Sequence, residues 1–269
     1  MYHKTIDYFA ELANRKTNLF KKKPEAIVIG AIMGGMYVGI GIILIFSLAS
    51  SAEPGLQKLI MGAAFGITLT LAVFAGADIF TAYIMYMPFA LLRGQCSYTD
   101  LVKMWSVIWV FNLMGSLLLV YIFSLGGGGD LAHTPDSLLM RTAEYKVNSS
   151  PIELLARAIL CNWLLCLALW MAARTKDDSA KCILIFWCLL AFMACGFENS
   201  IANMTLFSIA LLGNHSESLS ISGMFYNLFW VTFGNAIGGV ALIVGTYWAA
   251  SPPIGNLNAK IKTKLNSQD

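Results

Sequence analysis

Hydrophobic and polar positions alternate along this chain in long blocks rather than residue by residue. Six apolar segments, at about 26–49, 58–92, 101–125, 152–173, 182–212 and 222–250, are divided by short polar stretches. A hydrocarbon core of about 30 Å takes roughly 20 apolar residues of helix. Each segment therefore predicts a membrane-spanning helix, and the second and fifth are long enough to be broken ones. Runs such as IVIGAIMGGMYVGIGIILIF are apolar on every side, which rules out the two-residue alternation of a membrane barrel. The first segment follows some 25 polar residues and lacks the short early core and cleavage site of a signal peptide, so it is expected to be retained. Within that leader Ile6, Phe9, Leu12 and Ala13 recur at helical spacing. They predict a surface-lying amphipathic helix over residues 1–25, ahead of a transmembrane domain at 26–250 and a solvated tail at 251–269.

Two acids interrupt this pattern: Asp78 in GADIFTA and Glu198 in GFENSIA, each two residues after a glycine and each in the second segment of its half. A charge at bilayer depth costs about 3 kcal/mol or more, so a matched pair points to a transport site where two repeats meet. The third segments also share a pattern, Asn-x-x-Gly followed by a small residue, in FNLMGS (Asn112) and GNAIGG (Asn235). Segments one to three and four to six thus predict two repeats, and because three is odd the repeats are inverted. Broken helices expose backbone groups that belong beside a pore. Asn112 and Asn235 are placed to satisfy that backbone, and Asp78 and Glu198 are expected to accept hydrogen bonds from it. The half-helix starting near Ser200 aims its positive end at the midplane, where Asn199, Ser200 and Asn203 offer donors suited to a small anion.

Composition supports a membrane protein: 58% hydrophobic and 12% charged residues, with a mean hydropathy of +0.68. Basic residues set the orientation. Arg15, Lys16, Lys21, Lys22, Lys23, Arg93, Lys103, Arg174, Lys176, Lys181, Lys260, Lys262 and Lys264 flank one side, against Lys58, Arg141 and Lys146 on the other. The positive-inside rule then places both termini in the cytoplasm, and the net charge of +3 reflects topology rather than affinity for nucleic acid. Six cysteines without C-x-x-C spacing read as packing residues. No metal or cofactor is expected, since His3, His133 and His215 fall in terminal or loop regions without ligand spacing. Gly126 to Gly129 and the polar stretch after them are expected to fold over the outer mouth as a turn, without the Lys-Ser/Thr ending of a phosphate loop. A water or glycerol channel would carry paired Asn-Pro-Ala breaks, and neither break holds proline. An enzyme would need a nucleophile–base set or metal ligands, and the segments offer neither.

GADIFTA, GFENSIANM, and YKVNSSPIEL followed by CNWLLCLALWM together resemble the signatures of the formate/nitrite transporters, in order and spacing over nearly all of residues 1–250. The resemblance implies an all-α, aquaporin-like fold of six transmembrane helices in two inverted three-helix repeats, with helices two and five broken. It also implies five subunits in a ring with one pore through each. Carried over residue by residue, it casts Thr81, Lys146, Asn162 and Asn199 on the transport path, and Phe65, Leu69, Ile79, Phe80, Leu165 and Phe192 at its constrictions. One position departs: Asn199 stands where the family has a central histidine. A carboxamide cannot titrate, so direct protonation of a solute by this side chain is excluded. The implied function is passage of small monovalent anions and their conjugate acids, formate foremost and nitrite next, with lactate, acetate and hydrosulfide as further candidates. Lys146 attracts the anion, desolvation raises its pKa, and the neutral acid crosses. The alternative is an electrogenic anion channel. The expected partners are the solute, protons, membrane lipid and four further copies of the chain, in the inner membrane of a prokaryote.

Overall fold

The computed structural model describes residues 2–134, 137–213 and 217–251. His215, the basic positions Lys260, Lys262 and Lys264, and the tail beyond Ser251 lie outside the described residues. Among the described residues every regular element is helical.

The first half runs α1 (His3–Lys22), α2 (Pro24–Ser50), α3 (Pro54–Phe65), α4 (Ile67–Ala75), α5 (Phe80–Leu92) and α6 (Tyr98–Leu125). Two short helices follow, α7 (Gly129–His133) and α8 (Leu138–Val147). The second half runs α9 (Pro151–Ala172), α10 (Asp178–Ala194), α11 (Ser200–Leu212) and α12 (Ile221–Ile237), which continues through a π-helical stretch at Gly238–Gly245 into α13 (Thr246–Ala249). Prolines open α2, α3 and α9, where a missing N–H costs nothing. Among the described residues five stretches are long and apolar enough to cross a membrane, namely Pro24–Ser50, Pro54–Ala75, Tyr98–Leu125, Pro151–Ala172 and Ile221–Ala249. The fifth predicted segment is divided, as expected, into the 17 residues of α10 and the 13 of α11. The chain is a multi-pass membrane protein.

The two halves repeat one arrangement. α6 packs along α2 as α12 packs along α9. Close approach depends on missing side chains: a Cβ on Gly115 would overlap the Ile32 carbonyl, and one on Gly238 would overlap the Ile159 carbonyl.

The N-terminal helix is amphipathic, but its apolar face is covered by protein. Ile6, Phe9, Ala10 and Ala13 are buried against the bundle, with α5 the main neighbour. Phe9 stacks on Tyr86 and Trp170, Arg93 pairs with Asp7 at 2.8 Å, and Arg174 donates to Thr5. The expectation of a helix resting on the membrane surface is corrected accordingly. Aromatic side chains at the ends of α5 and α9 give that face a better-packed partner than lipid headgroups.

Candidate functional site: two vestibules and a closed centre

Both expected breaks are present. α4 ends at Gly76 (φ 84°) before α5 starts at Phe80, and the loop after α10 turns at Gly196 (φ 72°) before α11 starts at Ser200. Those left-handed conformations are why glycine leads each break.

Two fully buried carboxamides take up the freed backbone. Asn112 Oδ1 accepts from Phe80 N at 2.9 Å, and its Nδ2 donates to Ala31 O at 2.6 Å and Asp78 O at 2.9 Å. Asn235 repeats this: Oδ1 accepts from Ser200 N at 3.0 Å, and Nδ2 donates to Ala158 O and Glu198 O, each at 2.9 Å. Each side chain thus closes three backbone groups that hydrocarbon could not satisfy.

The carboxylates act differently from expectation. Glu198 Oε2 is 2.6 Å from Lys146 Nζ and 2.7 Å from Asn203 Nδ2. Asp78 Oδ1 is 2.8 Å from Lys16 Nζ and 2.9 Å from the Tyr83 hydroxyl. With the helix starts already served by Asn112 and Asn235, the acids need neutralising rather than backbone donors. At 4% and 1% exposure for Asp78 and Glu198 a cation is the effective partner. Each break therefore carries one lysine–carboxylate pair, contributed by α1 on one end and α8 on the other.

Three cavities lie in series. At the α1 end, a cavity of ≈ 590 Å³ is lined by residues including Phe9, Lys16, Asp78, Tyr86, Lys176 and Lys181. At the α8 end, one of ≈ 720 Å³ is lined by residues including Lys58, Arg141, Lys146, Arg157, Glu153 and Glu198. Between them, Val38, Phe65, Thr68, Leu69, Ile79, Thr81, Leu165, Leu189, Phe192 and Asn199 enclose ≈ 10 Å³, at the lower limit for one water. Leu69 and Ile79 also line the first cavity, and Phe192 and Asn199 also line the second. They are the walls between compartments. Phe65 and Phe192 meet edge-on with ring centroids 5.5 Å apart. Basic side chains outnumber carboxylates in both outer compartments, three to one at the α1 end and four to two at the α8 end.

In the centre, Thr81 is fully buried and its Oγ1 has no hydrogen-bond partner. Asn199 Oδ1 caps α11 by accepting from Ile201 N at 2.9 Å and Ala202 N at 3.1 Å, and its carboxamide, at the cavity wall, also hydrogen-bonds the Cys161 thiol. The backbone donor of Ser200 and the amide of Asn203, also expected there, are committed elsewhere. Ser200 N serves Asn235 and Asn203 Nδ2 serves Glu198 and Asn227, whereas the Ser200 hydroxyl is buried without a partner and lines none of the three cavities.

Two further expectations are corrected. Phe80 lines none of the three cavities; it lies against Trp105 in a lateral groove between α6 and α12, because its backbone N–H is held by Asn112 and the first turn of α5 then turns the ring outward. Asn162 lines none of the three cavities either, and its Oδ1 is buried without a partner. Its Nδ2 donates to Thr81 O at 3.3 Å and Asn235 O at 2.8 Å, which positions Thr81. Phe65, Leu69, Ile79, Leu165 and Phe192 line the central cavity. Sequence reading missed Lys16, although Phe9, Ala13 and Lys16 share one helical face, and it passed over Arg157, a charge early in an apolar span.

Comparison with known proteins follows the same division. The family model described as Formate/nitrite transporter matches residues 3–249. The chain belongs to the formate/nitrite transporter family. It is 40% identical over 272 residues to the nitrite transporter NirC of Escherichia coli (strain K12), covering 100% of this chain and 98% of that one. A solved structure described as an FNT family ion channel matches with a TM-score of 0.91 at 40% identity, covering 93% of this chain and 100% of the other. Another, described as a pentameric formate channel with formate bound, matches with a TM-score of 0.72 at 26% identity, covering 86% and 98%. Within this formate/nitrite transporter, the residues that carried the resemblance, Asp78, Thr81, Lys146, Glu198 and Asn199, converge on the breaks and the cavities beside them.

Proposed function

We propose that this chain is a channel for small monovalent anions and their conjugate weak acids, nitrite first and formate beside it, in which the solute crosses the centre as the neutral acid. The order reverses the one drawn from sequence, because the relative that is 40% identical over the whole chain is named a nitrite transporter. The supporting observation is the middle compartment: ≈ 10 Å³, walled by aliphatic and aromatic side chains, with one free hydroxyl on Thr81 and one carboxamide on Asn199.

An anion enters a vestibule whose basic residues exceed its acids. As it loses water against Phe192 or Ile79 its basicity rises, since desolvation disfavours the charged form. Asn199 cannot supply the proton, so it comes from bulk water or the vestibule. The neutral acid then slips between side chains that open transiently; a hydrogen bond to the unpartnered Thr81 Oγ1, and one to the Asn199 carboxamide in exchange for its bond to Cys161, replace part of the lost hydration. An unpaired charge on that path would meet no compensating group.

The same proposal includes five copies per assembly, as in the solved structure described as pentameric. It also includes both termini in the cytoplasm of a prokaryotic cell membrane, supported by the distribution of basic residues, and transport without enzymatic turnover. A second reading keeps the solute anionic throughout, favoured by the net positive vestibules. Uptake of radiolabelled nitrite or formate into vesicles, with the other as competitor, across external pH 4 to 8 tests the proposal. Uptake that falls steeply with rising pH supports it, and pH-independent uptake refutes it.

A further inference from the structure

Lys146 is the cation that the family resemblance makes the anion attractor, yet its charge is largely used. Nζ is bonded to Glu198 at 2.6 Å and to Asn203 Oδ1 at 3.0 Å, and the side chain is 15% exposed. The α8-end vestibule holds a better-disposed positive group. Arg157, in the second turn of α9, is fixed on two edges: Nε donates to Glu153 O at 3.2 Å and Nη1 to the Tyr145 hydroxyl at 3.0 Å, with the guanidinium 5.1 Å from the Tyr145 ring centroid. Its Nη2 is buried and has no hydrogen-bond partner. The nearest carboxylate oxygen, Glu153 Oε2, is 4.0 Å away and already accepts from Ser150 N and Oγ at 2.9 and 2.8 Å. Arg157 is also coupled to the break, because its carbonyl accepts Glu198 N at 3.3 Å. In the same cavity wall Arg141 forms no ion pair among the described residues.

We propose that Arg157 Nη2, with Arg141 lining the same vestibule, forms an anion-docking station where a planar monovalent oxyanion rests before it is desolvated. A stacked, planar guanidinium suits the two oxygens of a carboxylate or nitrite. Its unused N–H groups carry a standing desolvation cost that an arriving anion removes. Lys146 then holds Glu198 in place, and Arg157 and Arg141 concentrate solute one step before Asn199 and Phe192. The station serves only solute arriving from the α8 end. The inference rests on the proposed passage of nitrite and formate and adds the residues that first hold them.

The test uses formate and nitrite uptake by the full-length protein in right-side-out and inverted membrane vesicles, for wild type, Arg157→Gln, Arg157→Lys and Arg141→Gln. The half-saturating concentration from the α8 end rises about fivefold in Arg157→Gln. It rises less in Arg157→Lys, which keeps the charge and loses the fork, and in Arg141→Gln, while that from the α1 end stays at the wild-type value. Half-saturation unchanged from the α8 end, or shifted equally from both ends, overturns the docking station. Should Arg157→Gln fail to assemble, the Arg157→Lys and Arg141→Gln comparison decides. A wild-type chain that moves neither solute would instead sink the proposed function itself.

Discussion

Lys146 Nζ lies 2.6 Å from Glu198 Oε2, and the opposite end repeats the relationship with Lys16 Nζ at 2.8 Å from Asp78 Oδ1. Two inverted repeats have met the same electrostatic problem, a carboxylate at a helix break inside a membrane, with a lysine from outside the core span. The lysines come from unrelated places, α1 and α8. A solute approaching either break therefore meets a neutralised pair rather than a lone charge.

Removing one partner of such a pair should cost far more than removing both. Lys146→Met leaves Glu198 buried and uncompensated and is expected to destabilise the protein by about 3–5 kcal/mol. The double variant Lys146→Met/Glu198→Gln recovers most of that. Thermal unfolding of the purified proteins as a double-mutant cycle measures the difference; equal losses in single and double variants would contradict the pairing.

Asn235→Asp is nearly isosteric, yet it is expected to abolish folding. It replaces two donors with acceptors facing the Ala158 and Glu198 carbonyls, leaving buried groups unsatisfied at about 1–3 kcal/mol each, with a further penalty for the charge. Asn112→Asp should fail in the same way through the Ala31 and Asp78 carbonyls. The yield of monodisperse protein in detergent reports it.

Much of this was legible in the chain because it depends on local chemistry. Glycine two residues before each acid marks a backbone conformation that other residues avoid, and Asn112 and Asn235 announce themselves as carboxamides repeated in corresponding spans. Phe65, Leu69, Ile79, Leu165 and Phe192, which line the central cavity, were singled out by family resemblance. Partnership across the fold was not legible. Nothing near Glu198 in sequence indicates Lys146, and nothing near Asp78 indicates Lys16. Which way Phe80 points depends on the carboxamide that pins its N–H, and the two carbonyls that hold Asn162 Nδ2 are brought to it only by tertiary packing.

Thr81 Oγ1 has no protein partner, so Thr81→Val should leave stability unchanged or slightly higher. Transport should fall about five- to tenfold, the equivalent of one lost hydrogen bond of about 1 kcal/mol. Thermal unfolding beside initial uptake rates separates the two effects. Unaltered uptake would remove Thr81 from the path.

Asn199 both caps α11 and faces the central cavity. Asn199→Ala should cost about 1 kcal/mol through the lost cap. Asn199→Asp keeps a capping oxygen but puts a carboxylate in the wall of the α8-end vestibule, where the solute is still an anion, and uptake from that end should drop by more than about tenfold at neutral pH through like-charge repulsion. Asn199→His introduces a group titrating near pH 6.5 and should change the pH profile of uptake. An unchanged profile would show that this position does not influence solute protonation.

The account turns on whether the solute crosses the ≈ 10 Å³ centre uncharged. Nitrite and formate flux measured in proteoliposomes at clamped membrane potential, with internal pH recorded simultaneously, addresses this directly. The account predicts one proton moved per solute, flux insensitive to potential, and a fall of about tenfold for each pH unit above the pKa of the acid. Flux that follows the potential without matching proton movement would contradict it.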